Sequence, residues 1–142
     1  MKKIEVLENL VDALKILPGV GPKSALRLTY FLLQRNRNGA KNLSAQISNA
    51  LEQLMHCELC NNFSEEPKCS ICLSDKRDVS TICIVEMPTD LLMLEETHSY
   101  DGLYFILMGR LSPLDGIGPN DIHLSKLINR IKNSNIKELI LA

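Results

Sequence analysis

The 142-residue chain lacks tryptophan, has only 4% aromatic residues and carries a formal net charge of −1. Without a charge excess it has no general attraction to nucleic acid or to an anionic membrane. No uncharged apolar run approaches the ~18 residues of a membrane span, and the N-terminus has no secretory hydrophobic region. With 45% hydrophobic and 23% charged residues, the sequence predicts a folded, soluble, cytosolic protein without a membrane partner.

The charges are divided unevenly along the chain. Residues 1–56 carry eight Lys/Arg and four Asp/Glu, residues 57–76 carry two and four, and residues 77–142 carry six and nine. A basic segment ahead of an acidic body places any nucleic-acid contact near the start of the chain. An ordinary solvated surface is the alternative interpretation of the same charges.

Hydrophobic periodicity predicts helices first, and then strands that alternate with helices. The expected helices of the first part are 4–17, 22–32 and 43–54, with a polar break over 36–42. Beyond them we expect strands at 79–85, 103–107 and 136–141, and helices at 88–97 and 122–131. This β-α-β-α-β order predicts a parallel sheet that is covered on both faces.

Five cysteines in a chain without a secretory signal argue against a disulfide framework. Four of them form two C-x-x-C pairs separated by eight residues: Cys57, Cys60, Cys69 and Cys72. Four thiolates at this spacing suit one tetrahedral Zn²⁺, which would be structural because no position remains for water. Reduced thiol pairs or a redox pair are the alternatives. Cys83 lies in a predicted strand and is interpreted as a buried apolar residue.

A glycine-rich turn between the first two predicted helices is a candidate phosphate-binding site. Gly19 and Gly21 allow a tight turn that opens a helix, and the free N–H groups of a helix start favour an anion. Lys23 and Arg27 add two cations one helical turn apart, on the same side of that helix. A helix–helix corner without a ligand is the alternative.

Two further candidates follow predicted parallel strands, where ligands bind in open α/β sheets. Glu86 comes just after the first strand. The loop 109–119 comes after the second strand and contains Ser112 and Asp115 among three glycines and two prolines. Such stiff loops often carry binding function, although an exposed acid and a connecting loop would look the same in sequence.

Three motifs occur in a fixed order: LPGVGPKSA at 17–25, the two cysteine pairs, and SPLDGIGP at 112–119. Together they resemble the RecR family of bacterial recombination mediators over essentially the whole chain. The resemblance implies an α+β multi-module fold. Its expected modules are a helix-hairpin-helix over 1–56, a four-cysteine zinc finger over 57–76 and an incomplete α/β Toprim domain with a parallel sheet over 77–142.

The resemblance also assigns roles to these residues. It implies that Lys23 and Arg27 bind DNA with Gly19 and Gly21, without reading bases. It implies one structural Zn²⁺ on the four paired cysteines. It further implies that Glu86 is the first acidic position of the Toprim fold and forms a partner site with Ser112 and Asp115.

A member of this family is expected to act with RecO and RecF to load RecA at DNA gaps, at the nucleoid in the bacterial cytoplasm, and not as an enzyme. Family chains continue beyond the strand at 136–141, so we expect a dimer through the N-terminal helices and leave the family's ring tetramer open. One alternative is a zinc-folded remnant that does not bind DNA. The other is a Mg²⁺-dependent nuclease or primase relative, which would need more carboxylates than Glu86.

Overall fold

Residues 2–142 are described by the computed structural model, in which the chain divides into two units, Met1–Glu52 and Gln53–Ala142. Three α-helices and one π-helix form the first part of the chain: α1 (Glu5–Leu14), α2 (Pro22–Tyr30), the π-helix (Phe31–Arg35) and α3 (Arg37–Gln53). The α2 helix begins at its proline, as expected from the sequence, whereas α1 ends three residues before its predicted end. None of the helices in the described part of the chain is both long and apolar enough to cross a membrane.

The predicted polar break over 36–42 is wrong, because α3 begins at Arg37 and only Asn36 separates it from the preceding helix. The side-chain Oδ1 of Asn36 accepts a hydrogen bond from Gly39 N at 2.9 Å, and its carbonyl accepts one from Ala40 N at 2.9 Å. Asparagine is a preferred helix N-cap. The polar residues after Asn36 are therefore the first turns of a capped helix rather than a loop.

The second unit begins with short elements around the cysteines: β1 (Met55–His56), β2 (Phe63–Ser64) and α4 (Ser70–Leu73). Strands and helices then alternate: β3 (Asp78–Val85), α5 (Pro88–Thr97), β4 (Gly102–Ile106), α6 (Leu124–Lys132) and β5 (Glu138–Leu141). The larger strands form a parallel sheet in the order β4-β3-β5. The mixed fold class and the parallel sheet are confirmed, whereas the module boundaries at 56/57 and 76/77 stay a prediction.

Alternate residues of the sheet face two separate apolar layers. On one face Cys83 and Val85 pack with Leu91 of α5 and with three of the paired cysteines. On the other face Ile82 and Ile84 pack with Leu127 of α6. The sheet is therefore covered on both faces, and the cysteine segment belongs to the core of one of them.

A polar cluster joins the segment after the cysteines to α5 and β4. The guanidinium of Arg77 donates two hydrogen bonds to the Glu95 carboxylate and a third to Gly102 O at 3.2 Å. The hydroxyl of Tyr104 donates to Glu95 Oε1 at 2.6 Å. The Arg77 hydrogen bonds, with help from Tyr104, hold the pKa of the Glu95 carboxyl below its ordinary value.

We expect the stabilisation from Glu95 to depend on pH. A carboxyl with a lowered folded-state pKa stabilises the fold fully above its unfolded pKa of about 4.3 and loses this effect as the pH falls through the folded value. Glu95→Gln should therefore lower the free energy of unfolding by about 1.5–3 kcal/mol at pH 7 and by less at pH 3.5. Urea unfolding at both pH values measures the difference.

The neighbouring Glu96 is exposed and supplies the matched control. Glu96→Gln should change the free energy of unfolding by less than about 0.5 kcal/mol at either pH. If Glu95→Gln lowers the free energy of unfolding by the same amount at pH 7 and at pH 3.5, the proposed pH dependence of the Glu95–Arg77 contact is wrong.

Candidate zinc centre and nucleic-acid interface

The four paired cysteines form one cluster, in which all four sulfur atoms lie within 4.8 Å of one another. The β1–β2 hairpin holds the first pair, since Cys57 N donates to Asn62 O at 2.7 Å and Asn61 N donates to Cys57 O at 3.0 Å. The second pair is carried by α4, with Cys69 as the N-cap. Cys69 N also donates to Cys57 Sγ at 3.3 Å, which joins the two pairs.

The sulfur positions fit a tetrahedral zinc ion. Zn–S bonds of about 2.3 Å place neighbouring sulfur atoms roughly 3.8 Å apart, and Cys60 Sγ and Cys69 Sγ are separated by 3.5 Å. Cys57, Cys60 and Cys69 are buried and Cys72 is half-buried. The cluster is thus closed, as a structural site requires.

The thiols of the cluster shift one another's pKa values. Hydrogen bonds from the Cys60 and Cys72 thiols hold the pKa of the Cys69 thiol below its ordinary value. The hydrogen bonds with Cys69 and Cys72, followed by burial, raise the pKa of the Cys60 thiol. One thiolate is therefore stabilised by the protons of its neighbours, but four thiolates this close need a cation in place of those protons.

The three histidines are not members of the sulfur cluster, and the fifth cysteine lies in a strand, as the sequence predicts. His56 Nδ1 donates to Asn61 O at 3.0 Å and its ring stacks on Phe63, so it supports the hairpin beside the cluster. His98 and His123 are at helix ends in left-handed conformations. Cys83 is buried in β3, and burial raises the pKa of its thiol.

The glycine-rich turn joins α1 to α2 in the first unit. Gly19 has φ 77°, a left-handed conformation that favours glycine, and Val20 N donates to Leu17 O at 3.1 Å. Gly21 is the N-cap of α2, and the first helical bond runs from Ala25 N to Gly21 O at 2.9 Å. The backbone amides before Ala25 have no partner within the helix and suit an anion.

Lys23 and Arg27 are both exposed on α2, whereas Ala25 and Thr29 are its buried residues. Over the described residues 2–142, neither cation takes part in an ion pair. The start of α2 therefore presents free amides and the Lys23 cation, with the Arg27 cation one turn further along the helix. This arrangement can hold a phosphate group, which is the role predicted from the sequence.

The strand-end candidates lie side by side. Glu86 is exposed immediately after β3, and its carbonyl accepts a hydrogen bond from Gly109 N at 3.0 Å, where the loop 109–119 starts. Ser112 Oγ donates to Asp115 Oδ2 at 2.7 Å, so these two side chains stabilise the loop itself. Within the part of the chain that is described, only the cysteines bring three or more potential metal ligands together, and no carboxylate cluster forms around Glu86.

Sequence reasoning missed the polar residues that join the cysteine segment to the sheet. Asn61 Nδ2 donates to Ile106 O at 2.9 Å. In the first C-x-x-C motif, Lys126 of α6 donates to Cys57 O and Arg130 donates to Leu59 O. The four-residue spacing of the two cations was visible in the sequence. Their partners were not, because backbone carbonyls carry no residue signature.

Three family models match the chain in the order of these structural parts. The RecR helix-hairpin-helix matches residues 7–51, the RecR four-cysteine zinc finger domain matches 54–74 and the Toprim domain matches 80–142. The fold and the cysteine cluster thus define a recombination protein that combines a helical hairpin, a structural zinc centre and a Toprim-type sheet. The zinc centre takes one Zn²⁺.

The chain is also similar over its whole length to a known recombination protein. The chain is 52% identical over all of its 142 residues to the recombination protein RecR of Chromobacterium violaceum, and it covers 72% of that protein. The chain therefore belongs to the RecR family, and its role lies in recombination and DNA repair.

Proposed function

We propose that this protein is a non-enzymatic recombination mediator that binds DNA through the start of α2. The observation that carries the proposal is the pair of exposed cations Lys23 and Arg27, which have no ion-pair partner among residues 2–142, beside the free amides at the start of α2. Gly19 has the left-handed conformation that the turn requires, and the space beside Gly19 and Gly21 is open, so a sugar-phosphate backbone can approach closely. Contacts of this kind position a protein on DNA without reading bases.

The charge distribution supports the same interface. The first 56 residues carry twice as many basic as acidic residues, although the whole chain is nearly neutral. A local positive field attracts DNA by releasing its condensed counterions, and the binding constant then falls steeply with salt. Binding should therefore be strong at low salt and similar for different sequences.

Fluorescence anisotropy of labelled double-stranded DNA, titrated with the zinc-loaded chain at several salt concentrations, tests the proposal. Two phosphate contacts alone predict a slope of about −1.8 in a plot of log K against log salt. Two unrelated DNA sequences should give the same curve. Absence of binding at low salt by the folded, zinc-bound chain would instead favour a zinc-folded remnant.

We further propose that RecO and RecF are protein partners, with which the chain loads RecA at gaps, and that it works at the nucleoid in the cytoplasm. The exposed Glu86 and the adjoining loop with Ser112 and Asp115 support a docking site on the sheet. Glu86→Ala should weaken RecO binding while leaving DNA affinity unchanged. Unchanged RecO binding would remove Glu86 from this site.

A dimer through the N-terminal helices is the proposed assembly. Apolar residues of α1 and α3 line an open groove of about 860 Å³ in the first unit, including Leu10, Leu14, Leu43 and Ile47. Ile47 keeps half of its surface exposed and Leu51 keeps 80%. Burial of such a face against a second copy would be favourable, and sedimentation equilibrium measures the resulting mass.

The proposal excludes phosphodiester chemistry, since Mg²⁺-dependent enzymes bring several carboxylates to the metal. Within the described residues Glu86 has no such neighbours. Mg²⁺-dependent nicking of plasmid DNA that disappears in Glu86→Ala would overturn this part of the proposal.

A further inference from the structure

Helix α6 of the Toprim domain contacts the first cysteine pair with two cationic side chains. Lys126 Nζ donates to Cys57 O at 3.0 Å and lies 3.5 Å from Asn61 Oδ1. Arg130 Nη1 donates to Leu59 O at 2.8 Å and to Tyr104 O at 2.7 Å. Arg130 retains only 9% of its exposed surface, which is unusual for a charged residue without a carboxylate partner.

The same region closes the outer edge of β4. Gly102 O, Tyr104 O and both polar atoms of Ile106 face this edge, because alternate residues of a strand share their hydrogen-bonding side. Ile106 N donates to Cys60 O at 2.8 Å, and Ile106 O accepts from Asn61 Nδ2. The cysteine segment thus replaces the neighbouring strand that β4 lacks within the described residues.

Charge balance gives the two cations a second role. Four thiolates around one Zn²⁺ leave a formal charge of −2. Lys126 and Arg130 supply two positive charges, and both bind carbonyls within the pair Cys57–Cys60. In a partly buried setting such opposite charges interact more strongly than they do in bulk water.

We propose that Lys126 and Arg130 are positioning residues of the zinc centre. They hold the carbonyls of Cys57 and Leu59, within the first C-x-x-C motif, in place and balance the charge of the zinc–thiolate group. Zinc retention therefore depends on a helix about 70 positions away in sequence, with α6 and the zinc centre forming one cooperative element. This inference concerns how tightly the structural zinc is held and does not depend on DNA binding.

The rate of zinc release from the full zinc-loaded chain to an excess of a chromophoric chelator, at constant pH, tests the proposal. Groups that support metal ligands change metal affinity by about 10- to 100-fold when they are mutated. We expect release to be about tenfold faster or more from Lys126→Met and from Arg130→Met. Lys126→Arg keeps the charge and a donor, and should stay within about threefold of the original chain.

Lys132→Met is the matched control, because Lys132 is an exposed residue of α6 with no hydrogen bond to the cysteine segment among the contacts of the described residues. Added salt should speed release from the original chain and have less effect on Lys126→Met, since screening weakens a charge interaction. A purely structural role of Lys126 would leave this salt dependence unchanged.

Zinc content is measured first, so that a variant that fails to bind zinc is distinguished from one that binds zinc but releases it faster. About one Zn²⁺ per chain is required before the release rates are compared. If Arg130→Met does not fold, the half-buried Lys126 decides the question. Release from folded Lys126→Met within twofold of the original chain, or equally fast release from Lys132→Met, would overturn the proposal.

Discussion

Cys60→Ser, or removal of zinc from the original chain, should abolish the cooperative unfolding transition of the Gln53–Ala142 unit. The sulfur of Cys60 lies in the same apolar layer as Val85, Tyr104 and Ile106 of the sheet. Structural zinc contributes about 10–16 kcal/mol in small modules, which matches or exceeds the whole stability of a typical domain at about 5–15 kcal/mol. Loss of the metal should therefore unfold the sheet and not merely the loop around it.

Near-ultraviolet circular dichroism during urea unfolding measures this effect. The chain has no tryptophan, and Tyr100 and Tyr104 form an edge-to-face pair with centroids 5.0 Å apart inside the second unit. Their signal should disappear with zinc removal. Cys83→Ala is the control, since it removes a buried sulfur from β3, keeps the zinc cluster and should cost only about 1 kcal/mol. An unchanged transition in Cys60→Ser would contradict the prediction.

The double variant Lys23→Ala/Arg27→Ala should bind DNA at least about tenfold more weakly at low salt, for every sequence alike. It should also reduce the magnitude of the log K–log salt slope by about 1.8, because two phosphate contacts and their released counterions are lost. Both side chains are exposed, so the fold should be preserved. Anisotropy titrations over the same salt range measure both quantities.

Lys132→Ala/Lys137→Ala is the charge-matched control, since it removes two exposed cations from the second unit. A general loss of positive charge would affect both double variants equally. A specific interface at the start of α2 predicts an altered slope in the Lys23/Arg27 variant alone. The same slope in the original chain and in Lys23→Ala/Arg27→Ala would refute this interface.

Local sequence signals determined most of the secondary structure. The Pro88–Thr97 helix was predicted with its observed bounds, because proline favours the first helical position. The apolar run around Cys83 became the central strand of the sheet. The prediction failed at Asn36, where a capping side chain turned an apparent break into a helix start.

The chemistry of the zinc centre was also contained in the sequence. Two C-x-x-C pairs place thiolates at ligand spacing whatever surrounds them, and the cluster and the family match confirm one structural zinc. The RecR resemblance was confirmed by the comparisons as well. The roles of Gly19, Lys23 and Arg27 at DNA, and of Glu86, Ser112 and Asp115 at a partner, stay predictions.

By itself the sequence determined most of the longer helices and strands, which cysteines cluster and which family the chain belongs to, because these depend on residue type and short spacing. Only the tertiary structure decided that the zinc segment closes the edge of β4 and that Lys126 and Arg130 bind its carbonyls. These contacts join residues far apart in sequence through backbone atoms. Every residue has the same backbone groups, so no sequence pattern marks which of them will meet.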